Sequence, residues 1–149
     1  MLSIEEVARR IREVDENAVE GLSLAEVRQV SDSWGVDRLP DAYVEFLVQM
    51  GVRGGRLLQG TEAFFPEILE LPRDAEEFFQ EDEGGMPLPR GAQVFAMHQG
   101  YQVYWLSDLL VPDPEVVLYM ERRSEPMEVW PSFTHFINAE FQLSYPTGE

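Results

Sequence analysis

Two histidines, His98 and His135, are the only imidazoles in the 149 residues. A metal centre needs three or more protein ligands at set intervals, and no acid or second imidazole stands at such an interval from either ring. His98 falls at the tip of an expected hairpin and His135 on an expected helix, where they read as a turn residue and a packed helix residue. Carboxylates are so numerous that pairs discriminate little. Glu13 with Glu16, or Glu67 with Glu70, share a helix face at i, i+3. They read as solvated surface rather than as a glycosidase pair or a two-metal site. Serine lacks the G-x-S-x-G elbow. Gly51-Val52-Arg53-Gly54-Gly55 has neither dinucleotide-binding spacing nor a following lysine, so it reads as a turn after a helix. Cysteine is absent, and all eleven basic residues are arginine. Disulfides, thiolate metal sites, Schiff-base lysines and the phosphate-loop lysine are therefore excluded. A hydrolase built on carboxylates and His135 would need a metal or a pocket with raised carboxyl pKa values, and the spacing for neither is present. No catalytic constellation survives, and nothing calls for a metal or a cofactor.

Charge points elsewhere. With 28 acidic residues the chain carries a formal charge of −17. Nucleic acid and anionic membrane surfaces both require a basic footprint, so neither is an expected partner. The excess keeps the protein soluble and would speed its encounter with a basic protein. A hydrophobic share of 44% is too high for a disordered chain, and 149 residues is the usual size of one domain. At that length a fold buries roughly 70% of the surface its unfolded chain exposes, enough for a self-standing core. The opening MLSIEEVARR has acids and arginines where a signal peptide needs an apolar stretch, and no run approaches the ~20 apolar residues of a membrane span. A cytoplasmic protein, monomeric by default, is expected.

These residues must be positioned by elements that the pattern also predicts. Ser3 and Glu6 have capping-box spacing, and Ile4, Val7, Ile11 and Val14 continue as a helix over 3 to about 16. Ser23 and Glu26 repeat the device before Leu24, Val27 and Val30, in a helix closed near Trp34-Gly35. Pro40 suits the first position of a third helix, whose apolar face is Tyr43, Phe46, Leu47 and Met50 and whose stop is Gly51. Arg56-Leu57-Leu58 reads as a short strand-like piece. Pro66 opens a further helical pattern, which Pro72 breaks. Strands follow at Val94–Met97 and Tyr101–Leu106, joined by His98-Gln99-Gly100, and then at Val116–Met120. Alternation puts Val103 and Trp105 on one face and Tyr104 and Leu106 on the other, so this strand is expected to be central and covered on both sides. Ser132 caps a last helix carrying Phe133, Phe136, Ile137 and Phe141. The aromatic cluster of Tyr101, Tyr104, Trp105, Tyr119, Trp130, Phe133 and Phe136 fits a sheet packed on a helix. The class is α+β with a mostly antiparallel sheet.

One charge run stands out. Asp74, Glu76, Glu77, Glu81, Asp82 and Glu83 place six acids in ten residues with no base among them. Such runs are ordinarily solvated surface. The sharper reading is a patch that docks a basic protein and steers it at long range, which makes these six the candidate partner-binding residues.

Several motifs occur in an order that resembles the SUKH superfamily, which includes fungal cell-wall synthesis regulators and bacterial immunity proteins. Leu39-Pro40-Asp41-Ala42-Tyr43-Val44-Glu45-Phe46-Leu47 is similar to the family's L-P-x-x-Y-x-x-F-L signature. The helix ending at Trp34-Gly35 precedes it, and Gly51 to Gly55 resembles the turn that follows, without the family's asparagine. Phe95 to Trp105 resembles its strand pair, Asp113-Pro114-Glu115-Val116 its D-P-x-V strand start, and Ser132-Phe133-Thr134-His135-Phe136 its closing helix. The resemblance spans about residues 20–141 and implies a SUKH-like single domain over 1–149, with a curved sheet and no enzymatic activity. It further implies a stoichiometric inhibitor that neutralises a cognate bacterial toxin, often a basic nuclease. The alternative is a regulatory scaffold that binds an endogenous cellular protein.

Overall fold

The computed structural model describes residues 1–146. Its first helix, α1 (Ile4–Val14), is capped by the Ser3 hydroxyl, which accepts from the Glu6 N–H at 3.1 Å. The expected reciprocal half of that box is missing, because the Glu6 carboxylate is drawn to Arg9 and Arg10. Those guanidiniums also hold its pKa below the usual carboxylate range. Strand β1 (Val19–Glu20) leads to α2 (Leu24–Ser33), whose Ser23–Glu26 box is complete, at 2.9 and 3.2 Å. Leu24 does not join the core. It is 78% exposed at the first position of α2, while Val30 is fully buried. Gly35, at φ 72°, closes the helix in the left-handed conformation that glycine adopts without steric cost.

Helix α3 (Asp41–Met50) starts one residue later than expected, with Pro40 as its cap rather than its first helical residue. Strand β2 (Arg53–Gly54) then pairs antiparallel with β1. The strand-like piece expected at Arg56-Leu57-Leu58 is instead a turn. Gly55 and Leu58 both take positive φ, 63° and 55°, which an extended strand cannot accommodate, and both leucines point into the core. Pairing resumes at β3 (Thr61–Glu62).

A 3₁₀ turn over Glu67–Glu70 and helix α4 (Leu71–Glu81) divide what the pattern presents as one helix broken at Pro72. The division falls before Leu71. Pro72 sits in the first turn of α4, where its missing N–H forfeits no helical bond. Strands β4 (Gln93–His98), β5 (Gln102–Leu106), β6 (Val116–Met120) and β7 (Glu128–Trp130) follow, and α5 (Phe133–Ser144) closes the fold. The turn between β4 and β5 carries positive φ at Gln99 and Gly100, 54° and 80°, the combination a type I′ hairpin requires.

Strands β3 to β7 form an open, wholly antiparallel five-stranded sheet in chain order, and the class is α+β as expected. β5 is central, and each of its faces is covered by a different helix. Trp105 lies 6.0 Å from Phe79 of α4 and 5.8 Å from Tyr119 of β6, ring centre to ring centre. Tyr104, on the opposite face, lies 5.5 Å from Phe136 of α5. The register shifts between Val94 and Ala96, leaving Phe95 as an extra residue in β4. That bulge lets Phe95 and Ala96 share the Tyr104 face, where Phe95 meets Phe133 and Phe136 at 5.5 and 5.6 Å.

The same aromatic layer explains the L-P-x-x-Y-x-x-F-L segment. Tyr43 stacks on Trp34 at 5.1 Å and meets Phe133 edge-on at 5.6 Å, as does Phe46. The Trp34 indole N–H donates to the Ile68 carbonyl at 3.0 Å, tying α2 to the 3₁₀ turn. The Tyr43 hydroxyl is fully buried with no partner among the described residues, and burial pushes its pKa far above the ordinary phenol value.

Candidate protein-binding surface

The acidic run falls mostly on α4. Spacings of three and four residues place Asp74, Glu77 and Glu81 along one side of that helix. The adjoining stripe, Leu71, Ala75 and Phe78, is buried. Asp74, Glu77 and Glu81 form one wall of a groove of about 240 Å³, with Phe78 and Met97 on its floor. Two further carboxylates complete it, Glu62 from β3 and Glu121 just beyond β6. Five acids from three separated segments therefore converge on one cleft. Arg73 reaches Asp74 only at 3.9 Å, its guanidinium being paired with Glu70 at 2.6 Å. Among the described residues Glu62, Glu77, Glu81 and Glu121 form no ion pair.

The other three acids of the run lie outside the cleft. Glu76 and Glu83 are exposed. Asp82 turns inward: it accepts from the Tyr119 hydroxyl at 2.5 Å and from the Arg122 backbone N–H. Tyr119 also accepts from the Met86 N–H at 3.1 Å. Burial, reinforced by the Asp82 hydrogen bond, raises the Tyr119 pKa. Asp82 thus fastens the turn after α4 to the end of β6, where Arg122 is held at φ 67°.

Glu62 and Glu121 carry no local signal, being lone acids remote from the run. Their place in the cleft follows from pairing, since Glu62 is registered opposite Met97 in β4.

Neither histidine builds a centre. His98 Nδ1 is 3.4 Å from the Thr61 hydroxyl, and the exposed His135 ring is 2.6 Å from its own helix cap, Ser132 Oγ. Glu13 pairs with Arg9 at 3.0 Å, and Glu16 lies past the end of α1. Among the described residues no three His, Asp or Glu side chains are grouped as metal ligands would be. No helix there is long and apolar enough to cross a membrane.

The chain thus presents an open antiparallel sheet covered by a helix on each face, with an acidic cleft along α4. The chain belongs to the SMI1 / KNR4 family (SUKH-1), whose family model matches residues 21–139. This agrees with the resemblance carried by the motifs, and the match includes every residue of the cleft while leaving α1 outside. Membership supports a protein-binding role of the immunity type at the level of the family. No curated protein and no solved structure is significantly similar to the chain.

Proposed function

We propose that this chain acts as a single-domain, non-enzymatic immunity protein in the cytoplasm, binding and neutralising a cognate basic toxin of nuclease type. The observation that carries this reading is the convergence of Glu62, Asp74, Glu77, Glu81 and Glu121 on one cleft, in a chain of charge −17. Crowded carboxylates repel one another, and a cationic partner removes that repulsion when it docks. A nuclease holds its substrate by a track of cationic side chains, and an acidic inhibitor can occupy that track in place of phosphate. The net charge steers the encounter, while Phe78 and Met97 give the floor an apolar contact for close approach. Exposed Glu76 and Glu83 add to the acidic field, and Asp82 ties the turn after α4 to Tyr119 of β6.

Capture of partners from lysate and secretions of the source cells, at low and then moderate salt, tests the proposal. The expected catch is a basic protein that cleaves nucleic acid and is inhibited one-to-one by this chain. Recovery only of housekeeping proteins would contradict it and support a regulatory scaffold instead.

A further inference from the structure

The opposite face of the sheet carries a second, chemically different groove. It lies between α5 and the β5–β7 edge, encloses about 490 Å³, and takes Tyr104, Leu118, Glu128, Trp130, Glu140 and Leu143 among its walls. Trp130 and Tyr104 stack at 6.4 Å between ring centres, 30° from parallel, and Trp130 is held edge-on by Phe136 at 4.9 Å. This aromatic wall is therefore fixed by the core before anything binds. Apolar side chains contribute as well: Leu118 of β6 lines the groove, and Leu143 of α5, 76% exposed, stands at its mouth. Glu128 comes from β7 and Glu140 from α5, so the two carboxylates enter from different elements.

Neither carboxylate forms an ion pair among the described residues. The nearby Arg56 lies in an adjoining cavity with Glu140, and its guanidinium is engaged elsewhere. It sits 4.7 Å over the Tyr145 ring and donates to the Ser144 carbonyl at 3.3 Å. Burial, together with the charge of Glu128, raises the Glu140 pKa despite a backbone hydrogen bond from Leu58. The groove thus combines ring faces, an apolar rim and two carboxylates without a counter-ion.

We infer that this groove receives an arginine side chain of a protein partner, its guanidinium against the Trp130–Tyr104 wall and facing Glu128 and Glu140, its methylenes along Leu118 and Leu143. A planar guanidinium stacks on aromatic rings and bonds carboxylates in fixed directions, which an ammonium cannot do together. The inference rests on the protein-binding reading of the chain but not on the acidic cleft of α4.

The test is an NMR titration of the full chain with N-acetyl-arginine methylamide, following the Trp130 indole N–H, with the neutral citrulline analogue as control. The expected result is a saturable shift of that signal in the millimolar range with the arginine compound alone. Glu128→Gln and Glu140→Gln, which preserve shape, should each weaken it about threefold to fivefold. Glu77→Gln/Glu81→Gln on the other face should leave it unchanged. Absence of a saturable shift, an equal shift with citrulline, or a shift that survives both groove substitutions would overturn the inference. Loss of the shift in Glu77→Gln/Glu81→Gln would also overturn it, by moving cation binding to the acidic cleft. Failure to capture a toxin would leave this titration unaffected, so the two readings can fail separately.

Discussion

The two faces of the five-stranded sheet differ in how they treat polar groups. On the α4 face Trp105, Tyr119 and Phe78 are buried, the Tyr119 hydroxyl is fully satisfied, and the carboxylates stand at the rim. On the α5 face the Tyr43 hydroxyl is buried without a partner, while Tyr104 and Trp130 stay partly open beside two carboxylates. The first arrangement acts at a distance, through a field that salt screens within roughly 8–10 Å. The second acts only on contact, through ring faces and local charge. On the two proposals made above, one sheet divides recruitment and recognition between its sides.

The largest expected effect that sharpens this contrast is on stability. Trp105 is fully buried between Phe79 and Tyr119, so Trp105→Ala should cost about 3–5 kcal/mol in urea denaturation. Tyr104→Ala, the matching truncation on the half-open face, should cost about half of that or less. A comparable loss at both positions would mean that the α5 face is as sealed as the other.

Next come the hydroxyls. Asp82→Ala strips the Arg122 N–H of its acceptor and leaves the Tyr119 hydroxyl only the Arg123 carbonyl, 3.0 Å away, and should cost about 1–3 kcal/mol. Tyr43→Phe removes a hydroxyl that has no partner, and its stability should stay within about 0.5 kcal/mol of the parent or rise. Thermal unfolding of both variants checks the pair, and a large loss in Tyr43→Phe would show that the faces do not differ in this respect.

A smaller effect concerns Glu140, whose pKa is raised in the fold. A carboxyl with a raised native pKa binds more protons folded than unfolded, so its contribution to stability falls as pH climbs from the ordinary carboxylate range through the raised value. Glu140→Gln should therefore gain stability over the parent at neutral pH and lose that advantage below the ordinary carboxylate range. Melting curves across that window decide the matter. A difference independent of pH would locate the strain elsewhere.

Much of this architecture is legible in the chain because local signals and long apolar periods agree. Ser23 with Glu26, Ser132, and the alternation from Val103 to Leu106 each determine their element almost unaided. The elements missed are those whose existence depends on a partner. β1, β2, β3 and β7 are two or three residues long, too short for any period to appear, and they exist because Val19 meets Gly54, Thr61 meets His98 and Val117 meets Val129. The bulge at Phe95 likewise needs the facing strand to be visible. The same division holds at the cleft. Helical spacing groups Asp74, Glu77 and Glu81, whereas Glu62 and Glu121 enter through strand register, and Asp82 leaves the surface because Tyr119 lies within reach.

The measurement that bears most directly on the central claim is the association rate with the captured basic partner as ionic strength rises. It should be made for the parent chain and for Glu77→Arg/Glu81→Arg, two exposed positions on α4. If the cleft is the docking surface, the parent rate falls steeply with salt. The variant should associate at least about tenfold more slowly at low salt, with a shallower dependence. Equal rates and equal salt dependence for the two proteins would contradict it.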